Sequence, residues 1–224
     1  MRDSNPRSRD QNPLPYRLAN PHHRRNYTRI IQMTTKSSLL LENSTDAARH
    51  LLGCLLIRDI DGHHLVGRIV EAEAYDQKDA ASHSYRGITP RTEVMFGPPG
   101  HAYVYFTYGM HYCLNIVTGQ DGYGAAVLIR AIEPISGIKY MKLNRTNTPD
   151  VKQLTNGPAK LCQALSIDKN LNGHDLTKAP LRLKFLPSIN QDQIIQTTRI
   201  GISRDEHRPW RFYIKGNSFV PKLS

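Results

Sequence analysis

The pattern of apolar and polar positions predicts a series of short strands interrupted by three helices. Alternation of apolar and polar residues indicates a half-buried strand, whereas apolar residues spaced three and four apart indicate a helix. The helical pattern occurs at residues 44–53, 136–144 and 158–166. The segments with the strand pattern are 54–60, 65–75, 101–107, 112–118, 125–132, 181–185 and 211–215.

Turn residues between these segments predict how the strands pair. Asp61 and Gly62 separate the first two strand segments, and an Asp-Gly pair favours a tight hairpin turn. Short links at 108–111 and 119–122 connect three further segments, which predicts an antiparallel meander. We therefore expect one α+β domain, built on a curved, open-barrel-like antiparallel sheet with flanking helices and a protruding β-hairpin.

The net charge of the chain is concentrated at its beginning. Lys and Arg number 30 and Asp and Glu number 19, which gives +11, and residues 1–36 supply +6 of it through eight cations and two acids. This segment is rich in Pro, Asn and Arg and lacks sustained apolar periodicity, so it is predicted to be disordered. The predicted domains are therefore a basic N-terminal extension at 1–36 and a folded domain at 37–224.

Three interpretations of the extension stay open. It is a solvated tail, a basic arm that grips nucleic acid, or a stretch that precedes Met33 as the true start of the protein. Mass spectrometry of the native N-terminus separates the third interpretation from the other two.

Hydropathy and cysteine content exclude several classes of protein. No apolar run approaches the roughly 18–20 residues that span a bilayer, and the extension lacks the apolar region of a secretory signal. Cys54, Cys113 and Cys162 form no CxxC pair, which argues against a disulfide scaffold and a structural zinc site. We expect a reducing compartment, which is the cytoplasm of a bacterium or the nucleus of a eukaryote.

The strand at 65–75 places two carboxylates on one face. Residues two apart in a strand share a face, so Glu71, Glu73 and Tyr75 lie together. The two carboxylates are about 6–7 Å apart, and each is expected to raise the pKa of the other. The alternatives are a solvated strand face and the acid–base pair of a carbohydrate hydrolase.

The hairpin at 101–118 is rich in tyrosine. Tyr103 and Tyr105 share one face of its first strand, and Tyr108 and Met110 lie at its tip. Ordinary enrichment of tyrosine in strands is one explanation. The other is that the exposed tip inserts an aromatic wedge between base pairs, as proteins that unstack DNA from the minor groove do.

Two cationic residues outside these segments, Arg130 and Lys160, are expected to need an anionic partner. Arg130, which shares a strand face with Leu128, lies in an otherwise apolar segment and needs an anion to offset its desolvation; Glu71 or Glu73 could supply it. Lys160 follows Asn156, a potential helix cap, and lies in the first turn of a helix. A cation there opposes the helix dipole, and a bound phosphate would relieve the conflict.

Long motifs in the folded domain resemble the alkyladenine (3-methyladenine, or methylpurine) DNA glycosylase family. The resemblance extends from about residue 38 to about residue 220. The motifs that carry it are RIVEAEAY at 68–75, AASHS at 80–84, TPR at 89–91, YVYFTYGMHYCLNIV at 103–117, VLIRAIEP at 127–134 and NGPAKLCQAL at 156–165.

The resemblance implies excision of damaged purines from duplex DNA in base excision repair. By its motifs, Glu73 corresponds to the general base and Arg130 to the residue that helps to hold the catalytic water. Tyr75, His83 and Tyr105 correspond to the side chains that enclose the flipped base. The resemblance also places Asn115, which crowds the 2-amino group of guanine, and Leu128 in the base-binding pocket. It implies that Tyr108 and Met110 intercalate into DNA. It implies that Thr89 and Lys160 contact phosphates.

The residues and the resemblance together predict a monofunctional enzyme. No lysine occurs in the segments assigned to the pocket, so water is the expected nucleophile and an abasic site the expected product. We expect no cofactor and no metal ion, a monomer, and damaged double-stranded DNA as the partner. A nucleic-acid-binding module without chemistry would explain the charge and the hairpin, but not two carboxylates beside aromatic strands, because carboxylates repel phosphate.

Overall fold

The computed structural model describes residues 38–145, 148 and 150–221, so the predicted extension at 1–36 and Met33 lie outside the described residues. The described residues form three α-helices, α1 (Ser44–Leu51), α2 (Ile138–Asn144) and α3 (Pro158–Ala164). They also form eight strands, β1 (Leu55–Ile60), β2 (His63–Asp76), β3 (Ala102–Thr107), β4 (His111–Val117), β5 (Ala125–Ser136), β6 (Leu181–Lys184), β7 (Ile194–Thr197) and β8 (Arg211–Ile214).

The strands form one open antiparallel sheet in the order β3-β4-β5-β2-β1-β6, and β8 pairs with both β2 and β7. The predicted α+β class and the β3-β4-β5 meander are confirmed. β7 was not predicted. β5 continues past residue 132 because Pro134 pairs with Gly67 where the register shifts, and an irregular position tolerates a residue without an N–H donor.

The core lies between the sheet and helices α1 and α3. Small residues of β2, Ala72 and Ala74, pack there with Leu114 of β4 and Ile129 of β5. A smaller second cluster joins Tyr103 to three other buried residues, Met95, Val117 and Ala126. The second cluster therefore covers the sheet at β3, β4 and β5, and its Met95 and Tyr103 also line the cavity described below.

Burial on both faces makes the solvated-face interpretation of β2 wrong. Glu71 and Glu73 are as inaccessible as the neighbouring Ala72 and Ala74, with 0% of each residue exposed. The register shifts on either side of Glu71, and such bulges re-aim side chains. A strand buried on both faces does not show simple alternation of accessible and inaccessible residues.

The helix boundaries agree with the predictions, but their caps differ. Asn43 caps α1, accepting hydrogen bonds from the N–H groups of Thr45 and Asp46 at 3.1 and 3.0 Å. α3 begins at Pro158 as expected, yet its capping position is Gly157, which provides no side chain. The predicted cap Asn156 was therefore wrong. None of the helices in the described part of the chain is long and apolar enough to cross a membrane.

Candidate active site

A cavity of about 740 Å³ opens beside the β3–β4 hairpin. The loop that follows β2 and the segment at 200–204 form its other sides. Eight of the eleven predicted site residues line it, namely Tyr75, His83, Thr89, Tyr105, Tyr108, Asn115, Leu128 and Arg130. The fold thus brings together side chains that are spread over more than fifty positions of the sequence.

Glu73 is fully buried and contacts three residues that line the cavity. Its Oε2 atom accepts a hydrogen bond from the Tyr75 hydroxyl at 2.9 Å. Its Oε1 atom accepts one from the Ile200 N–H at 2.8 Å and lies 3.2 Å from Nη1 of Arg130. A carboxylate offers about four acceptor positions, so these contacts leave one for a further donor such as water.

The surroundings of Glu73 raise its pKa. Burial is the main cause, and it outweighs the opposing effects of the Arg130 charge, the Ile200 N–H and the Tyr75 hydroxyl. Repulsion by Glu71 also raises the pKa, but it is the smallest of these causes. The sequence correctly predicted that the pKa of Glu73 is raised, but it attributed the shift to Glu71. The largest cause is the desolvation of the charged carboxylate.

Arg130 bridges the two carboxylates. Its Nε donates to Oε1 of Glu71 at 3.0 Å while Nη1 contacts Glu73, so both of the predicted partners are used. Burial lowers the pKa of Arg130, but the charges of Glu73 and Glu71 more than compensate and raise it. The guanidinium is therefore a fixed cation at the cavity wall.

Glu71 has a second cation that the sequence did not reveal. Nε of Arg211, from β8, donates to Oε1 of Glu71 at 2.6 Å. Arg211 and Glu71 are 140 positions apart, and no local pattern predicts a contact across that distance. Glu71 thus contacts two arginines, Arg130 and Arg211. Glu73 contacts only one described arginine, Arg130, which it shares with Glu71, and it also contacts residues that line the cavity.

Aromatic rings form the walls of the cavity. Nδ1 of His83 is hydrogen-bonded to the Tyr103 hydroxyl at 2.9 Å, and the His83 ring meets Tyr105 edge-on with 4.5 Å between centroids. Burial, with a smaller effect of the Arg91 charge, lowers the pKa of His83 to about 4. The imidazole is therefore neutral at physiological pH, so it presents an uncharged ring.

Tyr103 and Arg91 were not among the predicted site residues. Tyr103 shares a strand face with Tyr105, and that pattern was the signal that could have assigned it. The guanidinium of Arg91 lies 5.4 Å from the ring centroid of Tyr105, and its Nη2 is 3.4 Å from Nε2 of His83. Arg91 therefore places a positive charge at the aromatic wall.

Asn115 and Leu128 lie side by side in adjacent strands. They are register partners between β4 and β5, and both are buried. Nδ2 of Asn115 donates to the backbone carbonyl of Tyr103 at 3.1 Å. This hydrogen bond fixes the amide against one wall of the cavity.

The hairpin tip is exposed, as predicted. Tyr108 is 84% exposed and Met110 69% exposed, and Phe106 beside them is also open to solvent. Tyr108 has a positive φ of 50°, a conformation that bulky residues rarely adopt. The tip thus presents an aromatic side chain that no described residue covers.

The two predicted phosphate residues lie in different surroundings. Thr89 lines the cavity and pairs its hydroxyl with that of Thr92 at 2.9 Å. Lys160 is not among the lining residues, and its Nζ donates to Oδ1 of Asn156 at 2.8 Å. Burial and the nearby charge of Arg145 lower the pKa of Lys160, and none of the described acidic residues forms an ion pair with it.

Comparison with known proteins assigns the chain to a class and then to a family. The class is that of hydrolases that act on N-glycosyl bonds, and residues 38–218 match the family described as Methylpurine-DNA glycosylase. Because the match covers most of the chain, the protein belongs to the methylpurine-DNA glycosylase family. The family resemblance stated from the motifs is therefore confirmed.

Curated relatives support this assignment. A protein of Carboxydothermus hydrogenoformans is 54% identical over 78% of this chain and 92% of its own length. Relatives from Methanoculleus marisnigri and Francisella tularensis are 46% and 47% identical, over 85% of this chain and 100% of their own lengths. All three are named as candidate 3-methyladenine DNA glycosylases.

Proposed function

We propose that the protein is a monofunctional DNA glycosylase that flips alkylated or deaminated purines out of duplex DNA and hydrolyses the N-glycosidic bond. The observation that carries the proposal is the buried Glu73, held against Tyr75 and Arg130 beside an aromatic cavity. The names of the relatives point to 3-methyladenine as the type of substrate.

Access to the base requires flipping. A stacked base cannot be reached inside a duplex, and extruding it costs a few kcal/mol. Tyr108 fills the space left in the stack, since stacking on an aromatic side chain is worth about 1–3 kcal/mol per base. Its exposure at the hairpin tip, beside Met110, suits this role.

Recognition of the lesion depends on uncharged aromatic rings. Alkylation places positive charge on a purine, and the faces of Tyr75 and Tyr105 attract a cation through their π electrons. The lowered pKa of His83 keeps the third ring neutral, so His83 adds no positive charge to that of Arg91 at the same wall. Asn115, fixed by its bond to the Tyr103 carbonyl, and its neighbour Leu128 close the wall against the 2-amino group of guanine.

Glu73 supplies the chemistry. Departure of the base builds positive charge on the sugar, as in other glycoside hydrolyses. The Glu73 carboxylate stabilises this charge and accepts a proton from the attacking water, while Arg130 holds that water. The water oxygen bonds to the sugar carbon, and the purine leaves with the bonding electrons. None of the described residues that line the cavity is a lysine, which supports water as the nucleophile.

The same assignment covers the DNA backbone and the biological context. Thr89 and Lys160 contact phosphates of the DNA backbone. The protein acts as a monomer on double-stranded DNA that contains damaged purines. It does so in the cellular compartment that holds the DNA. The folded domain at 37–224 carries the activity, and residues 1–36 form a basic extension to it. A carbohydrate hydrolase is less well supported, because Glu71 is engaged by both Arg130 and Arg211.

Base release from damaged DNA tests the proposal. The wild-type protein is incubated with a methylated duplex, and free purines are separated by chromatography. We expect release of 3-methyladenine, with an alkali-sensitive abasic site left in the strand. Cleavage of synthetic sugar glycosides without purine release would favour the carbohydrate hydrolase instead, and DNA binding without release would favour a binding module.

A further inference from the structure

An ion pair between Asp79 and Arg199 lies buried behind the cavity. Both side chains have 0% of their surface exposed. Nη2 of Arg199 donates to Oδ1 of Asp79 at 2.9 Å, and Nη1 donates to Oδ2. A buried ion pair adds little net stability, because desolvation offsets the attraction. Stability alone is therefore a weak explanation for this pair.

Arg199 contacts the back of the cavity wall. Its guanidinium carbon is 4.6 Å from the ring centroid of Tyr75. Its Nη1 also donates to the carbonyl of Ala74 at 3.0 Å, while the Ala74 N–H donates to the Trp210 carbonyl at 2.8 Å. The backbone of β2 between Glu73 and Tyr75 is thus held from both sides.

The residue that follows Arg199 contacts the carboxylate. The Ile200 N–H donates to Oε1 of Glu73 at 2.8 Å. Because Arg199 and Ile200 are consecutive, anchoring the guanidinium on Asp79 also fixes the position of this N–H. One ion pair therefore connects the aromatic wall to the buried carboxylate.

We infer that Asp79 and Arg199 are positioning residues that hold Tyr75 and Glu73 in their working geometry and keep the wall behind Tyr75 electrically neutral. The inference rests on the roles proposed above for Glu73 and Tyr75. A lone cation behind Tyr75 would draw electron density away from the ring face in the cavity and weaken its attraction for a cationic purine. Asp79 compensates that charge.

The shape of arginine matters in this arrangement. Its planar, forked guanidinium donates to Asp79 and to the Ala74 carbonyl while it stacks on a ring, whereas a lysine ammonium is a single point of charge. Arg199→Lys keeps the positive charge but loses the planar guanidinium that donates to Asp79 and to the Ala74 carbonyl at the same time. Arg68→Lys is a matched control, because Arg68 lies on β2, the strand of Glu73 and Tyr75, and pairs with Glu133 at 2.5 Å.

Two readouts separate positioning from a merely structural role. The first is the pH midpoint of the acid side of single-turnover excision. The groups that act on Glu73 are Tyr75 and Glu71 on its own strand, Arg130 on β5, the charge of Arg199 and the Ile200 N–H, with Arg211 on β8 acting through Glu71. Loosening the Ile200 N–H in Arg199→Lys destabilises the carboxylate, so the midpoint moves to higher pH.

The second readout is the ratio of excision rates for a cationic and a neutral lesion. We expect Asp79→Asn to lower the rate for 3-methyladenine, which is cationic while attached to the sugar, relative to neutral hypoxanthine by at least threefold, because it removes the carboxylate that pairs with the Arg199 charge. The ratio is independent of the folded fraction, and the midpoint is read only over the pH range in which circular dichroism shows the variant to be fully folded, because acid unfolding would also move the acid limb.

We expect Arg199→Lys to lose tenfold or more of the excision rate and to shift the pH midpoint upward. We expect Asp79→Asn to lower the ratio of the rates for the cationic and the neutral lesion. Arg68→Lys should behave like the wild type. An unshifted midpoint together with an unchanged ratio would overturn the inference. Failure of the proposed function is distinguishable, because wild-type protein itself would then release no purine from the damaged DNA.

Discussion

The hydroxyl of Tyr75 donates a hydrogen bond to the buried carboxylate of Glu73 at 2.9 Å. A single side chain thus provides one wall of the cavity through its ring and stabilises the ionised form of Glu73 through its hydroxyl. In the proposed mechanism, recognition of the lesion and the chemical step are therefore coupled over a distance of two residues in β2.

In the proposed mechanism, Glu73 determines how excision depends on pH. Its carboxylate form is the proposed base, and its pKa lies above the ordinary value of 4.5. As pH falls, that form disappears earlier than it does for an exposed glutamate. We expect the single-turnover rate to decline through a midpoint above 4.5, while His83 stays neutral down to about pH 4. A rate that stays flat down to pH 4.5 would contradict this assignment.

Tyr75→Phe keeps the ring and removes the hydrogen bond. A hydrogen bond to a charged group is worth about 1.5–3 kcal/mol, so we expect excision to fall about tenfold or more and its acid midpoint to move upward. Binding of a lesion to the cavity should change little, because the stacking surface is retained. Equal losses in binding and excision would show that the hydroxyl is not specific to the chemistry.

Tyr108→Ala tests the wedge. The side chain is 84% exposed, so its truncation should leave the melting temperature unchanged. We expect the flipping equilibrium of a fluorescent ethenoadenine lesion to shift toward the stacked state by about 1–3 kcal/mol. The shift should be smaller in a mismatch, where unstacking is already partly complete.

Leu143→Ala is the control for this experiment, since Leu143 is another exposed apolar residue, on α2, at 73%. It should change neither property. A clear drop in melting temperature for Tyr108→Ala, with flipping unaffected, would mean that the hairpin only connects two strands.

Lys160→Ala tests the phosphate contact. Neutralising Z phosphates gives a slope of roughly −0.9Z in a plot of log affinity against log salt, so loss of one contact should reduce the slope by about one unit. Affinity should fall alike for all DNA sequences. Asn156→Ala removes only the acceptor of the Lys160 ammonium and keeps its charge, so its slope should match wild type. An unchanged slope for Lys160→Ala would show that Lys160 does not contact a DNA phosphate.

The sequence predicted the fold and the cavity residues where the signal was local. The hairpin of β3 and β4 was visible from alternation and turn residues, and so was the juxtaposition of Glu73 and Tyr75 two positions apart on β2. Arg130 was identifiable because an isolated cation in an apolar strand requires an anion. These inferences use only spacing within one element and the cost of burying charge.

Other parts of the site depend on contacts that no local pattern encodes. Arg211 reaches Glu71 from β8, and Arg199 and Ile200 reach β2 from a segment more than 120 positions away. Full burial of Glu71 could not be predicted either, because alternation on one strand does not show that the opposite face of the sheet is covered.

Single-turnover excision by Glu73→Gln tests the central claim most directly. The amide preserves the size of the side chain but loses charge and basicity, so we expect no base release while lesion binding is largely retained. Glu71→Gln is the internal control; it should lower the melting temperature, because two arginines lose their anion, but reduce excision less. Excision by Glu73→Gln within a few-fold of wild type would contradict the assignment of Glu73 as the base.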